Sequence, residues 1–218
     1  MATPPFDPDP YRAALLDALT RIPVGPGWRC ADIGTGTGTV SLALAALVGP
    51  AGRVWAVDHS PDAADELAAL SRETGTPQVV PLVQSAEELA LPDEIDLAWC
   101  RFLLMHVDEP LAVWRRMVTA TRPGGFIVAQ EPVTTAGRVG GAPLSMPGAQ
   151  HPDIGASLPA FPAASGCALA STWAVAPVGA GPGPVASYLA ELSGVDPGDD
   201  PIVLPLLVTV IARKPAAS

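Results

Sequence analysis

The sequence predicts an α/β fold in which helices wind around both faces of a mostly parallel sheet. Short apolar runs alternate with helix-forming segments through residues 1–131, as in a parallel sheet with crossover helices. The first of these runs, residues 28–33, leads directly into a turn with glycine at every second position, Gly34, Gly36 and Gly38. A strand, a glycine turn and a helix in this order form the place where doubly wound folds bind nucleotides.

Helix caps and turns define the other elements of this part. Asp9-Pro10 and Ser60-Pro61 are typical helix starts, with a capping side chain followed by proline, and Gly75 is a typical helix end. In chain order we expect a helix opening at 9, a strand at 28–33, a helix at 40–48, a strand at 53–58, a helix at 60–75, strands at 78–83 and 93–100, a helix opening at 108 and a strand at 126–131.

After residue 131 the pattern weakens. Residues 132–150 are rich in Gly, Pro and Ala and lack periodicity, so we expect a long loop there. We then expect a weak helix at 153–166, a strand at 169–178, a flexible turn at 179–184, a short helix at 185–192 and a final strand at 202–212.

Composition restricts the partners of the protein. The 218 residues are enough for one domain with a sizeable core, and the net charge of −10 argues against nucleic acid or an anionic membrane surface as a partner. The three cysteines lack the spacing of metal ligands, so we expect buried, reduced thiols and a cytoplasmic location. Residues 1–10 are acidic and proline-rich, unlike a signal peptide, and the apolar runs are too short to span a bilayer.

Two acidic residues flank the glycine turn at informative positions. Asp32 lies two residues before Gly34, and Asp58 ends the second strand, twenty residues beyond Gly38. A carboxylate at the end of the second strand can accept hydrogen bonds from both hydroxyls of a ribose. The glycine spacing is G-x-G-x-G, which differs from the dinucleotide fingerprint G-x-G-x-x-G.

The pattern D-x-G-x-G-x-G with an acid after the second strand resembles class I S-adenosylmethionine-dependent methyltransferases of the small-molecule type (methyltransferase domains of type 11/25). The segment Ile95–Ala98 and the turn Arg122–Gly125 resemble further signatures of that family. The resemblance extends over residues 28–131. It implies a Rossmann-like, three-layer α/β/α fold with seven strands, the last of them antiparallel. It also implies a single methyltransferase domain over residues 1–218, with a core at 28–131 and a loop-rich part at 132–218.

The resemblance implies S-adenosyl-L-methionine as cofactor and a set of residues that bind it. Ser85 stands where relatives often carry the aspartate that meets the adenine amino group, so Glu87 is an alternative partner for it. The expected cofactor-binding residues are Asp32, Gly34, Thr35, Gly36, Gly38, Asp58, His59, Ser85, Ala86, Glu87, Cys100 and Arg101.

Two residues are candidates for a catalytic base. His106 follows the fourth strand, where such folds place substrates, and a histidine can exchange a proton near neutral pH. Glu131, at the end of the fifth strand, is the second candidate. The alternative interpretations are a histidine packed in its turn and a solvated loop acid. We expect no metal, because Cys100 and Arg101 stand where metal-using relatives carry acidic ligands.

These features predict a methyltransferase that acts on a small-molecule acceptor and functions as a monomer or homodimer. An oxygen acceptor is the first hypothesis, because a histidine base suits a hydroxyl, and nitrogen and carbon stay open. One alternative is a protein that binds S-adenosylmethionine without transferring methyl, using it structurally or catalysing a rearrangement. An NAD-dependent oxidoreductase is a further alternative, disfavoured by the glycine spacing and by the lack of a Tyr-x-x-x-Lys pair.

Overall fold

The computed structural model describes residues 9–92, 94–194 and 196–217. Its strands are β1 (Arg29–Ile33), β2 (Arg53–Asp58), β3 (Val79–Val83), β4 (Ile95–Arg101), β5 (Thr121–Val133), β6 (Arg138–Val139), β7 (Ala142–Pro143), β8 (Ala168–Val175), β9 (Val178–Ala180), β10 (Pro201–Val203) and β11 (Leu206–Arg213). Its helices are α1 (Arg12–Thr20), α2 (Thr39–Val48), α3 (Pro61–Thr74), α4 (Pro110–Ala120), α5 (Phe161–Ala164) and α6 (Pro184–Ser193).

Seven strands form the main sheet, in the order β3-β2-β1-β4-β5-β11-β8. Strands β1 to β5 are parallel, and β11 runs antiparallel to both of its neighbours. This arrangement confirms the predicted seven-stranded, mostly parallel sheet with an antiparallel last strand. The strand order reverses between β1 and β4, and ligands of doubly wound folds bind at the carboxyl ends of strands at such a point.

Helices cover both faces of the sheet and give the predicted three layers. On one face Leu15, Leu44 and Leu67, from α1, α2 and α3, pack against sheet residues. On the other face Trp114 and Met117 of α4 are fully buried against a second group of sheet residues. The two cores form on opposite sides because neighbouring residues of a strand point to opposite faces.

The caps of α3 agree with the sequence, whereas the start of α1 is slightly later than predicted. The Ser60 hydroxyl accepts a hydrogen bond from the Ala63 amide, and Gly75 ends α3 in the left-handed conformation. Helix α1 begins at Arg12, and an Asp9 carboxylate oxygen accepts a hydrogen bond from the Tyr11 amide in the preceding turn. The predicted first residue of β4, Asp93, lies outside the described residues.

The prediction for residues 132–218 was wrong in missing a second sheet. Strands β6, β7, β9 and β10 form an antiparallel sheet of order β7-β6-β10-β9, where we expected a loop and a flexible turn. The predicted strand 202–212 is divided at Leu204-Pro205 into β10 and β11. Proline lacks the amide proton that a sheet ladder requires, so the chain leaves one sheet and enters the other at this point.

The predicted helix at 153–166 is also broken. Two 3-10 turns, Ile154–Ala156 and Leu158–Ala160, precede the four-residue helix α5. The prolines at 159 and 162 interrupt the hydrogen bonds that a continuous helix would need. Within the described parts of the chain, no helix is long and apolar enough to cross a membrane.

Candidate functional site

The three glycines of the turn after β1 serve different purposes. All three have positive φ angles, +74° at Gly34, +48° at Gly36 and +81° at Gly38. A Cβ atom would lie 2.8 Å from the Leu103 side chain at Gly34 and 2.4 Å from that of Leu67 at Gly38, whereas at Gly36 it would meet no atom within 4 Å. Gly34 and Gly38 therefore permit close packing, and Gly36 leaves open space at the tip of the turn.

Asp32 stabilises this turn from below. Its carboxylate is 1% exposed and accepts hydrogen bonds from the hydroxyls of Thr35, at 3.0 Å, and Ser41, at 2.7 Å. Burial raises the pKa of Asp32 to about 6, and the two hydroxyl bonds oppose that rise. The end of β1, the turn and the start of α2 are thus connected through one carboxylate.

A cavity of about 330 Å³ opens beside the turn, at the carboxyl ends of β1 and β4. The turn itself, Asp32, Arg101 and the aromatic rings of Phe102 and Tyr188 line it, together with Asp9. The cavity therefore combines exposed backbone amides near the start of α2, which favour an anionic group, with carboxylate, guanidinium and aromatic groups. This mixture suits a polar ligand that carries both charges.

Arg101 supplies the positive charge of this cavity. Its guanidinium lies 2.6 Å from an Asp9 carboxylate oxygen, and its side chain is only 9% exposed. The Nε atom of Arg101 is buried and has no hydrogen-bond partner among the described residues. A buried cation with unused donor capacity can bind the carboxylate of a ligand in a charge-assisted hydrogen bond.

Asp58 lies beneath the glycine turn and does not line the cavity. One of its oxygens accepts a hydrogen bond from the Gly36 amide at 3.0 Å, and the other accepts one from the Ser60 amide at 3.0 Å. The exposed His59 ring lies 3.3 Å from the second oxygen. A carboxylate has about four acceptor positions, so Asp58 keeps capacity for a further donor on the oxygen that accepts from Gly36.

The structure brings only part of the predicted cofactor-binding set together around this cavity. Ser85 accepts a hydrogen bond from the Glu87 amide at the 3-10 turn Ala86–Glu88, and Glu87 accepts one from the Asp108 amide. Cys100 is fully buried inside β4. The predicted residues that line the cavity are Asp32, Gly34, Thr35, Gly36 and Arg101, and those that do not are Gly38, Asp58, His59, Ser85, Ala86, Glu87 and Cys100.

Six residues of the cavity wall lie outside the predicted set, namely Asp9, Thr37, Thr39, Val40, Phe102 and Tyr188. Phe102 has a φ angle of +53° and is the one non-glycine residue with positive φ in the described parts of the chain. Such a conformation is strained for a bulky side chain and is found preferentially at functional sites. No local signal identifies Tyr188 or Asp9, because α6 and the start of the chain reach the site only through the tertiary fold.

A second, smaller cavity of about 120 Å³ adjoins the first. Phe102 and Tyr188 line both cavities, and His106 and Met146 line the second one alone. Tyr11 fixes the aromatic wall, because its ring meets Phe102 and Tyr188 edge to face, at centroid distances of 5.5 and 5.7 Å. His106 is exposed to solvent and lines this cavity.

Glu131 lies neither where a catalytic base would lie nor where a solvated loop acid would lie, although these were its two predicted roles. It is fully buried, lines neither cavity, and accepts hydrogen bonds from the amides of Leu103, at 3.0 Å, and Leu104, at 2.9 Å. Burial raises the pKa of Glu131 to about 7. The carboxylate ties the turn after β4, which carries Phe102 and His106, to β5, so Glu131 is a positioning residue.

Glu131→Gln should reduce the pH dependence of stability. The pKa of Glu131 is higher in the folded protein than its usual value. Glu131 therefore adds most to the free energy of unfolding below about pH 4.5, and this contribution is lost as pH rises through about 7. The difference between the two pKa values corresponds to roughly 3 kcal/mol in the free energy of unfolding. In urea unfolding from pH 5 to 8, the variant should gain stability relative to the wild type as pH rises. The exposed Glu66→Gln is the control, and equal slopes for wild type and Glu131→Gln would contradict this assignment.

Among the described residues, no group of three or more His, Cys, Asp or Glu is arranged to hold a metal ion. His151 lies 3.3 Å from the Asp108 carbonyl oxygen and lines neither cavity.

Comparison with known proteins agrees with this geometry. Residues 30–125 match the family model described as a methyltransferase domain. A ubiquinone biosynthesis O-methyltransferase of Xanthomonas campestris is 36% identical over 104 residues, which are 47% of this chain and 42% of that protein. The chain thus spans less than half the length of this curated relative.

Solved structures share the fold over nearly the whole chain. A SAM-dependent methyltransferase from Aquifex aeolicus superposes with a TM-score of 0.65 at 17% identity, covering 95% of this chain and 98% of that one. The 4+2 cyclase SpnF superposes with a TM-score of 0.68 at 20% identity, covering 94% and 82%. At such identities the likeness concerns the fold, and this fold hosts more than one kind of chemistry.

Proposed function

We propose that the protein transfers a methyl group from S-adenosylmethionine to a small molecule, because residues 30–125 match the model of a methyltransferase domain and the chain shares the fold of a SAM-dependent methyltransferase of known structure. The observation that carries the proposal is the open space at Gly36 in the cavity that also contains Arg101. A side chain is missing where a ligand must approach the backbone, and a buried cation lies in the same cavity. Both features suit the amino-acid end of this cofactor.

We propose a role for each part of the cofactor site. Arg101 would bind the carboxylate, the turn around Gly36 would contact the cofactor through backbone amides, and Asp58 would accept hydrogen bonds from ribose hydroxyls. The cofactor, when bound, supplies a methyl group already activated by a sulfonium. The chain therefore contributes mainly position and orientation.

We propose oxygen as the first candidate for the acceptor atom that receives the methyl group. His106 lines the second cavity, next to the first, and an imidazole can remove the proton that a hydroxyl loses on methylation. The named relative, a ubiquinone biosynthesis O-methyltransferase, supports a small-molecule acceptor and oxygen as its reacting atom. Nitrogen and carbon acceptors stay as alternatives for the test.

The proposal also covers the partners of the protein, its location and its oligomeric state. The net charge of −10 disfavours nucleic acid and anionic membranes as partners. All three cysteines are buried and free, which is usual in the reducing cytoplasm. We therefore propose a cytoplasmic protein with a small-molecule substrate, a single domain over 1–218 and a monomeric or homodimeric state.

The first experiment is a calorimetric titration of the purified protein with S-adenosylmethionine, S-adenosylhomocysteine and NAD. We expect micromolar affinity for the first two and none for NAD. Conversion of S-adenosylmethionine to S-adenosylhomocysteine in a screen of small acceptors then separates transfer from binding alone. Binding of NAD, or failure to bind either sulfur compound, would overturn the proposal.

Arg101→Met should weaken binding of S-adenosylhomocysteine about 10- to 100-fold, because a hydrogen bond to a charged group contributes roughly 1.5–3 kcal/mol. The matched control is a ligand, 5′-methylthioadenosine, which lacks the carboxylate and should bind the variant as well as it binds the wild type. If the variant loses affinity equally for both ligands, Arg101 supports the shape of the cavity and does not recognise the carboxylate. Circular dichroism checks that the variant, which leaves Asp9 without this partner, remains folded.

A further inference from the structure

Most of the side chains that line the second cavity are aromatic or apolar. Tyr11, Phe102, Tyr188, two methionines and two prolines surround it, together with His106. A buried ion needs an opposite charge or several hydrogen bonds to replace its hydration. This wall offers no fixed charge, so it favours an uncharged occupant.

The volume of the cavity limits the size of that occupant. It measures about 120 Å³, and a cavity of roughly 150 Å³ in another protein holds benzene. One aromatic ring with a small substituent is therefore of the right size. The aromatic side chains can pack against such a ring edge to face or offset.

The wall contains few polar side-chain groups, and two of these groups form no hydrogen bond with a described residue. The Tyr11 hydroxyl donates a hydrogen bond to the Pro205 carbonyl oxygen at 2.7 Å. Neither the Tyr188 hydroxyl nor the His106 ring forms a hydrogen bond with any residue that the structure describes. Burial raises the pKa of Tyr188 to about 12, so its hydroxyl remains protonated at neutral pH. A donor and a potential proton acceptor therefore line the same small apolar space.

The position of the cavity relates this space to the cofactor site. Phe102 and Tyr188 belong to both walls, so an occupant of the second cavity lies next to an occupant of the first. Glu131 holds the turn that carries Phe102. The two cavities thus form one site with a polar half and an apolar half.

We propose that the apolar cavity binds the methyl acceptor and that this acceptor is an uncharged, single-ring phenol whose hydroxyl lies between His106 and Tyr188. This inference rests on the proposed function, since it names the substrate class of the same site. The phenol oxygen forms the new bond to the methyl carbon, and its proton goes to a ring nitrogen of His106. The electron pair of the broken carbon–sulfur bond stays on sulfur, which leaves a neutral thioether.

Met146 is the residue that sets the limit on ring size. It lies in the segment between β7 and the 3-10 turn at Ile154, is half-buried and lines only the apolar cavity. Methionine is flexible and fills irregular apolar space, so its replacement changes the cavity with little backbone movement. Met146→Trp should fill the cavity, whereas Met146→Ala should enlarge it.

The test is calorimetric binding of 4-methylphenol and 4-methylbenzoate to the protein saturated with S-adenosylhomocysteine. We expect saturable binding of the phenol, at least tenfold weaker binding of the benzoate, and at least a tenfold loss of phenol affinity in Met146→Trp. Leu169→Trp, an exposed position on β8, is the matched control and should bind the phenol normally. The affinity of Met146→Trp for S-adenosylhomocysteine should equal that of the wild type and shows that the variant is folded.

The outcomes separate this inference from the proposed function. Three results would overturn the inference alone, provided that S-adenosylhomocysteine binds normally. They are no binding of the phenol, equal affinity for the phenol and the benzoate, and unchanged phenol binding in Met146→Trp. Loss of phenol binding in Met146→Trp, with a larger phenol such as 2-naphthol gaining affinity in Met146→Ala, would support it. Failure of the wild type to bind S-adenosylhomocysteine would overturn the proposed function and, with it, the role of the phenol as acceptor.

Discussion

Gly36→Val is expected to lower the affinity for S-adenosylmethionine and S-adenosylhomocysteine more than 100-fold. A side chain at this position meets no protein atom within 4 Å, so it projects into the space that the glycine turn leaves for a ligand. The isopropyl group would then occupy the space that the cofactor needs. Calorimetric titration of the variant with both compounds measures the effect.

The control must reproduce the backbone strain of this variant, since Gly36 has a φ angle of +48°. A non-glycine residue in the left-handed region costs roughly 1–2 kcal/mol. Gly75, with a φ angle of +65° and no atom within 4 Å of an added Cβ, lies at the end of α3, away from the cavity. Gly75→Val should lose similar stability but bind the cofactor normally. Normal cofactor binding by a folded Gly36→Val would remove the glycine turn from the proposed site.

His106→Ala is expected to reduce kcat by roughly 100- to 10,000-fold, the usual contribution of a general base. The ring lines the apolar cavity and not the cofactor cavity, so affinity for S-adenosylhomocysteine should change by less than about twofold. The measurement is single-turnover methylation of the acceptor identified in the screen, as a function of pH. A base of this kind gives a rate that rises with pH in the wild type, and the variant should lose that limb.

His151→Ala is the matched control for this variant. His151 lies close by, 3.3 Å from the Asp108 carbonyl oxygen, yet lines neither cavity. It should retain the rate of the wild type. If His106→Ala retained full turnover, positioning alone would account for transfer, and His106 would be a wall residue.

Most elements within residues 9–92 and 94–131 could be predicted because their signals are local. The Ser60 cap, the Gly75 end and the glycine turn each depend on residues within a few positions of one another. The small second sheet had no such signal. Its strands are two or three residues long, too short for an alternating pattern, and Pro205 divides what reads in the sequence as one apolar strand.

The candidate site was predictable only where it is continuous in sequence. The turn at Gly36 and the position of Arg101 at the end of β4 follow from the order of motifs. The sequence does not distinguish a buried acid from a solvated one, so the anchoring role of Glu131 became visible only with its two amide donors. Tyr188 reaches the site from a helix at the opposite end of the chain, and only the fold brings it there.

The small sheet β7-β6-β10-β9 has a consequence for how proteins of this fold diversify. The match to the methyltransferase-domain family ends at residue 125, before the segments that contribute Met146 and Tyr188 to the second cavity. Short strands held by backbone pairing accept new side chains and altered lengths at little cost to the main sheet. A duplicated gene could therefore acquire a different second cavity through changes at positions such as Met146, which lines that cavity alone, while Tyr188, which lines both cavities, stayed as it was.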